Sequence, residues 1–295
     1  MSSSRVRQLR EDDGEAVAAL FLAGHGEARR MDGDEIREWL ANESLKPENL
    51  LVVERDGRVV AYFDLWFEPD GTVDLDLTAP DMWEETLAEG ERIARERGAA
   101  RVRTYVPQDG AAEDAVRARG YEVIRSTWTM EIELGVEAPR EAAPPEGVEI
   151  RPYRHPEDEE RVWRAHTESF ADHWGYHAEP IEQWREFTVK SRTFDPTLWF
   201  VAWAGDEVAG YVLDYPERPA DPGFGWVGTL GVRRAWRRRG LGEALLHRSF
   251  AALHARGYRR VRLGVDTENT TGATRLYERV GMHAIRRQNT WQLEL

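Results

Sequence analysis

The chain's richest stretch of chemistry runs from Leu230 to Glu243. It reads Leu230-Gly231-Val232, then Arg233-Arg234-Ala235-Trp236, then Arg237-Arg238-Arg239-Gly240-Leu241-Gly242-Glu243, and an apolar-periodic segment follows directly. A strand that feeds a glycine-bearing turn and then a helix exposes successive backbone N–H groups at the positive helix end. Such an end is a ready site for a diphosphate. Gly240 and Gly242 permit a tight turn and a close approach of ligand oxygens that a Cβ would obstruct. The arginines add charge-assisted hydrogen bonds to phosphate oxygens. A plain turn, a solvated arginine face and a nucleic-acid patch share this pattern. A P-loop does not, because no Gly-Lys-Ser/Thr ending is present.

The elements that must hold this turn can be read around it. Val148 to Arg151 alternates as a strand, Pro156 to Glu160 is an acid-rich helix start leading toward Phe170, and a second helix covers Ile181 to Val189. Leu198 to Ala204 and Val208 to Asp214 form an antiparallel pair turned at Gly205-Asp206, and Gly225 to Val232 is the next strand. Leu241, Ala244, Leu245, Ala252 and Leu253 then share a helical face that Gly257 closes. Val261, Leu263 and Val265 alternate, Ala273, Leu276, Tyr277 and Val280 share a short helical face closed by Gly281, and the last strands reach Leu295. The expected order is βααβββαβαββ.

Much of this occurs twice, about 160 residues apart. Arg97-Gly98 followed by Arg101-Val102-Arg103 returns as Arg256-Gly257 followed by Arg260-Val261-Arg262. Thr127-Trp128-Thr129-Met130-Glu131 returns as Thr290-Trp291-Gln292-Leu293-Glu294, and the hairpin signal at Asp56-Gly57 returns at Gly205-Asp206. Three signals in one register make duplication a better account than chance. Gly135 to Gly147 holds Pro139, Pro144 and Pro145 and reads as the linker. The expected domains are therefore residues 1–134 and 148–295, joined by 135–147. A length of 295 residues agrees, being about right for two cores of roughly 140.

Composition narrows the classes. No apolar run approaches the roughly 20 residues that span a bilayer, and Met1 to Arg7 has no secretory or lipidation pattern, so the expected location is cytoplasmic, away from membranes. The absence of cysteine excludes disulfides, thiolate metal sites and cysteine nucleophiles. A net charge of −14 opposes general nucleic-acid binding. No metal is expected.

Arg237-x-x-Gly240-x-Gly242 after a strand resembles the acetyl-CoA signature of the GNAT superfamily of N-acetyltransferases. Asn269, Ala273, Leu276-Tyr277 and Gly281-Met282 resemble its second signature, with Met282 replacing the usual aromatic. The resemblance covers Val148 to Leu295, and the tandem layout is similar to mycothiol synthase-like acetyltransferases. It implies an α/β fold of the mixed α+β kind: two tandem GNAT folds, each a mostly antiparallel mixed sheet flanked by helices. It further implies that main-chain groups of Leu230, Gly231 and Val232 pair with the pantetheine arm. Arg237 and the amides of Arg238, Arg239, Gly240, Leu241, Gly242 and Glu243 hold the diphosphate, Asn269 contacts the arm, and Tyr277 protonates the departing thiolate. The alternative for Tyr277 is a core aromatic with a locally satisfied hydroxyl. The reaction implied is direct acetyl transfer from acetyl-CoA to a small-molecule or peptide amine, without a covalent enzyme intermediate. A regulatory acyl-CoA-binding module and a longer acyl donor are the other readings.

The first copy lacks this equipment. Val116 stands four residues before Gly120, where Tyr277 stands four before Gly281, and Thr78 to Glu85 offers carboxylates and no glycine where the turn would lie. Its expected role is to support the fold, cover the active site or shape the acceptor pocket. No base is evident at Trp226 to Thr229. His173 and His177 lie between the first two helices of the second copy, a region that borders the acceptor in the family, with Trp174 and Tyr176 placed to flank a cation. A plain connecting segment with surface histidines fits the same residues.

Overall fold

The computed structural model describes residues 4–26, 30–140, 142–216, 223–269 and 271–295, so Glu141 of the expected linker lies outside the described residues. The first half of the chain folds as β1 (Ser4–Gln8), α1 (Gly14–His25), α2 (Gly33–Ala41), β2 (Leu50–Arg55), β3 (Arg58–Phe67), β4 (Thr72–Thr78), α3 (Trp83–Glu96), β5 (Arg101–Tyr105), α4 (Ala111–Ala118) and β6 (Glu122–Glu133). The second half folds as β7 (Glu149–Pro152), α5 (Glu159–Phe170), α6 (Ile181–Phe187), β8 (Trp199–Ala204), β9 (Glu207–Tyr215), β10 (Gly225–Val232), α7 (Leu241–Ala255), β11 (Arg260–Asp266), α8 (Ala273–Arg279) and β12 (His283–Glu294). Both halves follow one order, βααβββαβαβ, so the repeated sequence signals occupy equivalent elements. Gly98 and Gly257, with φ of +82° and +97°, end the equivalent helices α3 and α7 in the left-handed conformation that glycine tolerates. The expectation of two closing strands is corrected. No glycine or proline interrupts His283 to Glu294, which run as one strand.

Two compact units form, and their bounds differ from 134 and 148. Among the described residues, 4–127 and 287–295 belong to the first unit and 128–286 to the second. The sheet of the first unit runs β1-β2-β3-β4-β5 and then the end of β12, antiparallel to β5 with Thr290 opposite Tyr105 and Glu294 opposite Arg101. That of the second runs β7-β8-β9-β10-β11 and then the end of β6, where Arg262 Nε donates to Glu131 at 2.5 Å. Each copy's closing segment thus completes the other unit's sheet. Trp291 is buried in the first core, whereas Trp128 packs on the second. The two segments are near copies of each other, so either supplies the same alternating edge.

Each sheet is mostly antiparallel and holds one parallel pair, β4 with β5 in the first and β10 with β11 in the second. Strand alternation puts helices on both faces. In β3, Ala61, Phe63 and Leu65 join the core beneath α3 and α4, while Tyr62 turns to the opposite face and packs with Val17, Phe21 and Ile36 of α1 and α2. Among the described residues no helix is long and apolar enough to cross a membrane.

Candidate active site

The parallel pair of the second unit opens early. β10 and β11 are in register only at Gly225–Val261 and Trp226–Arg262, and beyond this point the strands separate. The equivalent β4 and β5 stay paired for four residues, Thr72 to Leu75. A cleft of about 460 Å³ fills the gap between β10 and β11, with Val227 to Val232 on one wall and Leu263 to Asp266 on the other. Leu230, Gly231, Val232, Arg237, Arg238, Gly240, Leu241, Gly242, Glu243, Asn269 and Tyr277 all line it. Of the expected cofactor residues only Arg239 stays outside, with its guanidinium over the Trp236 ring at 5.0 Å.

One end of the cleft is built for an anion. Gly240 caps α7 with φ +82° and ψ −1°, and Arg238 also adopts a left-handed φ of +61°. A side chain at Gly240 would carry the left-handed cost even though open space surrounds it. The first intrahelical bond of α7 runs from Ala244 N–H to Gly240 O at 3.1 Å. Helix geometry therefore leaves the N–H groups of Leu241, Gly242 and Glu243 without intrahelical acceptors, at the positive end of a 15-residue helix. Arg238 stands beside them, and Arg275 and Arg279 of α8 line the same cleft. Arg237 acts differently from its neighbours: Nε donates to Val232 O and an Nη donates to Ser169 O, each at 3.0 Å. Its charge ties the end of β10 to α5, which makes it a positioning group for the turn.

The β10 wall is set from behind. A Cβ on Gly231 would stand 2.3 Å from the Tyr211 ring, so only glycine lets that ring lie against the strand. The buried Tyr211 hydroxyl is 2.9 Å from His166 Nδ1 on α5. Burial, helped by the charge of His173, lowers the His166 pKa to about 4, so its imidazole is neutral at neutral pH. This pair was not legible in the sequence. Its only trace was a tyrosine one strand away from a glycine.

Tyr277 is buried at 8% exposure on α8 and lines the cleft. Its hydroxyl has no hydrogen-bond partner among the described residues, unlike a core tyrosine satisfied locally. Burial pushes its pKa up to about 12, which holds the proton on the oxygen. Asn269 Oδ1 accepts from Thr271 N–H at 2.8 Å, an arrangement that fixes the amide's orientation and leaves its NH₂ to donate.

The end of α5 and the segment after it supply the remaining wall. Ser169, Phe170 and His173 line the cleft, with the Phe170 and His173 rings 4.4 Å apart. His177 is exposed and does not line it. Asp172 accepts from Arg234 Nε at 3.0 Å, and this hydrogen bond lowers its pKa while anchoring the segment to the turn after β10. In the first unit the helix equivalent to α7 starts differently: α3 begins on Met82 at φ −155°, with Trp83 buried and Glu84 and Glu85 in its first turn.

The sequence model of the acetyltransferase (GNAT) family matches residues 159–282, from α5 to just past α8. A mycothiol acetyltransferase of Geodermatophilus obscurus is 35% identical over 201 residues, which is 66% of this chain and 64% of that protein. That match therefore spans just under two thirds of the relative's length. A mycothiol acetyltransferase of Beutenbergia cavernae is 32% identical over 287 residues, covering 91% of this chain and 93% of that one. Among solved structures, a GCN5-related N-acetyltransferase from Sphaerobacter thermophilus superposes with a TM-score of 0.76 at 28% identity, covering 99% of this chain and 95% of that one. The chain belongs to the GNAT acetyltransferase family, with the fold in tandem.

Proposed function

We propose that the second unit transfers an acetyl group from acetyl-CoA to the amine of a small molecule, by direct attack within a ternary complex. One observation carries this reading: an unpartnered, proton-holding phenol, Tyr277, lies in the same cleft as the N-terminus of α7. The residues present fit an acyl-CoA. The amides of Leu241, Gly242 and Glu243, with Arg238, hold the diphosphate, the main chain of Leu230, Gly231 and Val232 pairs with the pantetheine arm, and the Asn269 amide donates to the arm. Arg239 contributes through its backbone alone. The bound thioester supplies an activated acyl carbon.

An N–H of the β10 wall polarises the thioester carbonyl. His173, as the cleft-lining imidazole, accepts the proton of the incoming ammonium, directly or through water, because only the neutral amine attacks. As the C–N bond forms and the C–S bond breaks, Tyr277 donates its phenolic proton to the sulfur, the nitrogen gives up its second proton to the resulting phenolate through water, and CoA leaves as the thiol beside a neutral amide. The relatives named mycothiol acetyltransferases support a small-molecule acceptor. We place the reaction in the cytoplasm and assign residues 1–134 and 148–295 as the two copies of the duplication, the first without a cofactor site. Thiol release from acetyl-CoA, measured across a panel of amines, tests the proposal. Release that needs both an amine and Tyr277 supports it. Tight acetyl-CoA binding with no release for any amine would point instead to a regulatory acyl-CoA-binding module.

A further inference from the structure

Among the described residues, the carboxylates of the second unit that lie away from solvent are compensated, apart from the buried Asp214 and one that is open to the surface. Glu131, Asp158, Glu159, Glu168, Glu186 and Asp195 each pair with an arginine or lysine. Asp266 accepts from the Glu268 N–H at 2.9 Å. Asp214 is fully buried, and burial raises its pKa well above the usual range, which favours its neutral form. Glu179 is half-buried and has no partner for its carboxylate among the described residues. Desolvation alone acts on it and raises its pKa. A partly desolvated, uncompensated carboxylate that solutes can reach is a preformed place for a cation.

Its location connects it to the cleft. The segment after α5 runs back along that helix: the His173 ring meets Phe170, the Tyr176 ring lies 6.1 Å from Phe170 and 5.9 Å from His166, and the Glu179 carbonyl accepts from Trp163 Nε1 at 3.1 Å. Phe170 and His173 are cleft walls, and Trp163 is two helical turns back, about 10 Å along the axis. Tyr176 and Trp163 are half-buried aromatics of the same stretch, a residue type that suits an organic cation. Resting on the acyltransferase reading, we propose that Glu179 is a specificity-determining residue. It receives a second, cationic group of an extended acceptor, about 10 Å from the cleft wall, so that diamines and polyamine-like amines are preferred over monoamines.

The test is kcat/KM for a length series of α,ω-diamines and the matching monoamines, with wild type, Glu179→Gln and Glu179→Asp, alongside calorimetric titration of the same diamines. Wild type is expected to favour the best diamine at least about tenfold over its monoamine. In Glu179→Gln the preference disappears through KM with kcat retained, and Glu179→Asp keeps part of it. Equal rates for diamine and monoamine in wild type, or an equal loss for both in Glu179→Gln, would overturn the proposal. Glu179-dependent diamine binding without thiol release would sustain it while removing the acyltransferase reading. Thiol release without Glu179 dependence would do the reverse, and absence of both would remove both.

Discussion

Replacing Tyr277 with Phe removes one oxygen from a buried ring and nothing else. Because that hydroxyl has no partner among the described residues, its loss leaves no donor or acceptor orphaned, and folding stability should change by less than about 1 kcal/mol. Acetyl-CoA affinity should also be nearly unchanged, since the diphosphate cradle on α7 is untouched. The chemical step should suffer. General-acid assistance is worth about 10²–10⁴-fold, or about 2.7–5.5 kcal/mol in the barrier, so kcat should fall by that factor with KM for acetyl-CoA held. A thioester with a more acidic thiol needs less proton help, and the variant's defect should shrink with it. The raised pKa adds a sign: an acid titrating at about 12 stays protonated through pH 10, so Tyr277 imposes no alkaline decline below that. Steady-state thiol release across pH, with melting temperature as a control, measures all of this. An unchanged kcat, or a loss of activity that tracks a loss of folding, would refute the reasoning.

Three further outcomes follow from the same geometry. Arg237→Ala should destabilise the protein by about 2 kcal/mol and weaken acetyl-CoA binding, because two charged hydrogen bonds to Val232 and Ser169 are lost. Arg239→Ala, which removes a guanidinium stacked on Trp236 outside the cleft, should change neither in thermal melts and titrations. His166 has a folded pKa of about 4, below the unfolded 6.5, so its contribution is complete above pH 6.5 and is lost as pH falls toward 4. Stability should drop by about 2 kcal/mol from pH 7.5 to pH 5 through this group, and urea unfolding of His166→Asn should lack that component. Asp214 has the opposite linkage: its folded pKa is raised, so stability is full at low pH and declines as pH rises past the unfolded carboxylate pKa. Asp214→Asn should therefore gain on wild type in urea midpoint as pH increases.

Local pattern carried most of the fold. Glycine stops, alternation and the helical face from Leu241 placed the second-copy elements in order, because those signals depend on neighbours in sequence. The strand exchange was beyond such reasoning. Trp128 and Trp291 sit in near-identical segments, and nothing local says which sheet each will complete. The site shows the same division. The turn at Gly240 was legible by spacing and the role of Tyr277 was an implication of the family resemblance, whereas the separation of roles among Arg237, Arg238 and Arg239 depends on where each guanidinium finds an acceptor. Tyr211 under Gly231, and the uncompensated charge of Glu179, arise from tertiary packing and the absence of a nearby cation among the described residues.

The central claim is that one acyl-CoA site per chain is built at the N-terminus of α7. Calorimetric titration of acetyl-CoA into wild type and into a Gly240→Glu, Gly242→Glu double variant, with folding checked by circular dichroism, addresses it most directly. One site in wild type, abolished in the folded variant, is the predicted result. No binding to wild type, binding that survives in the variant, or a second site would contradict it.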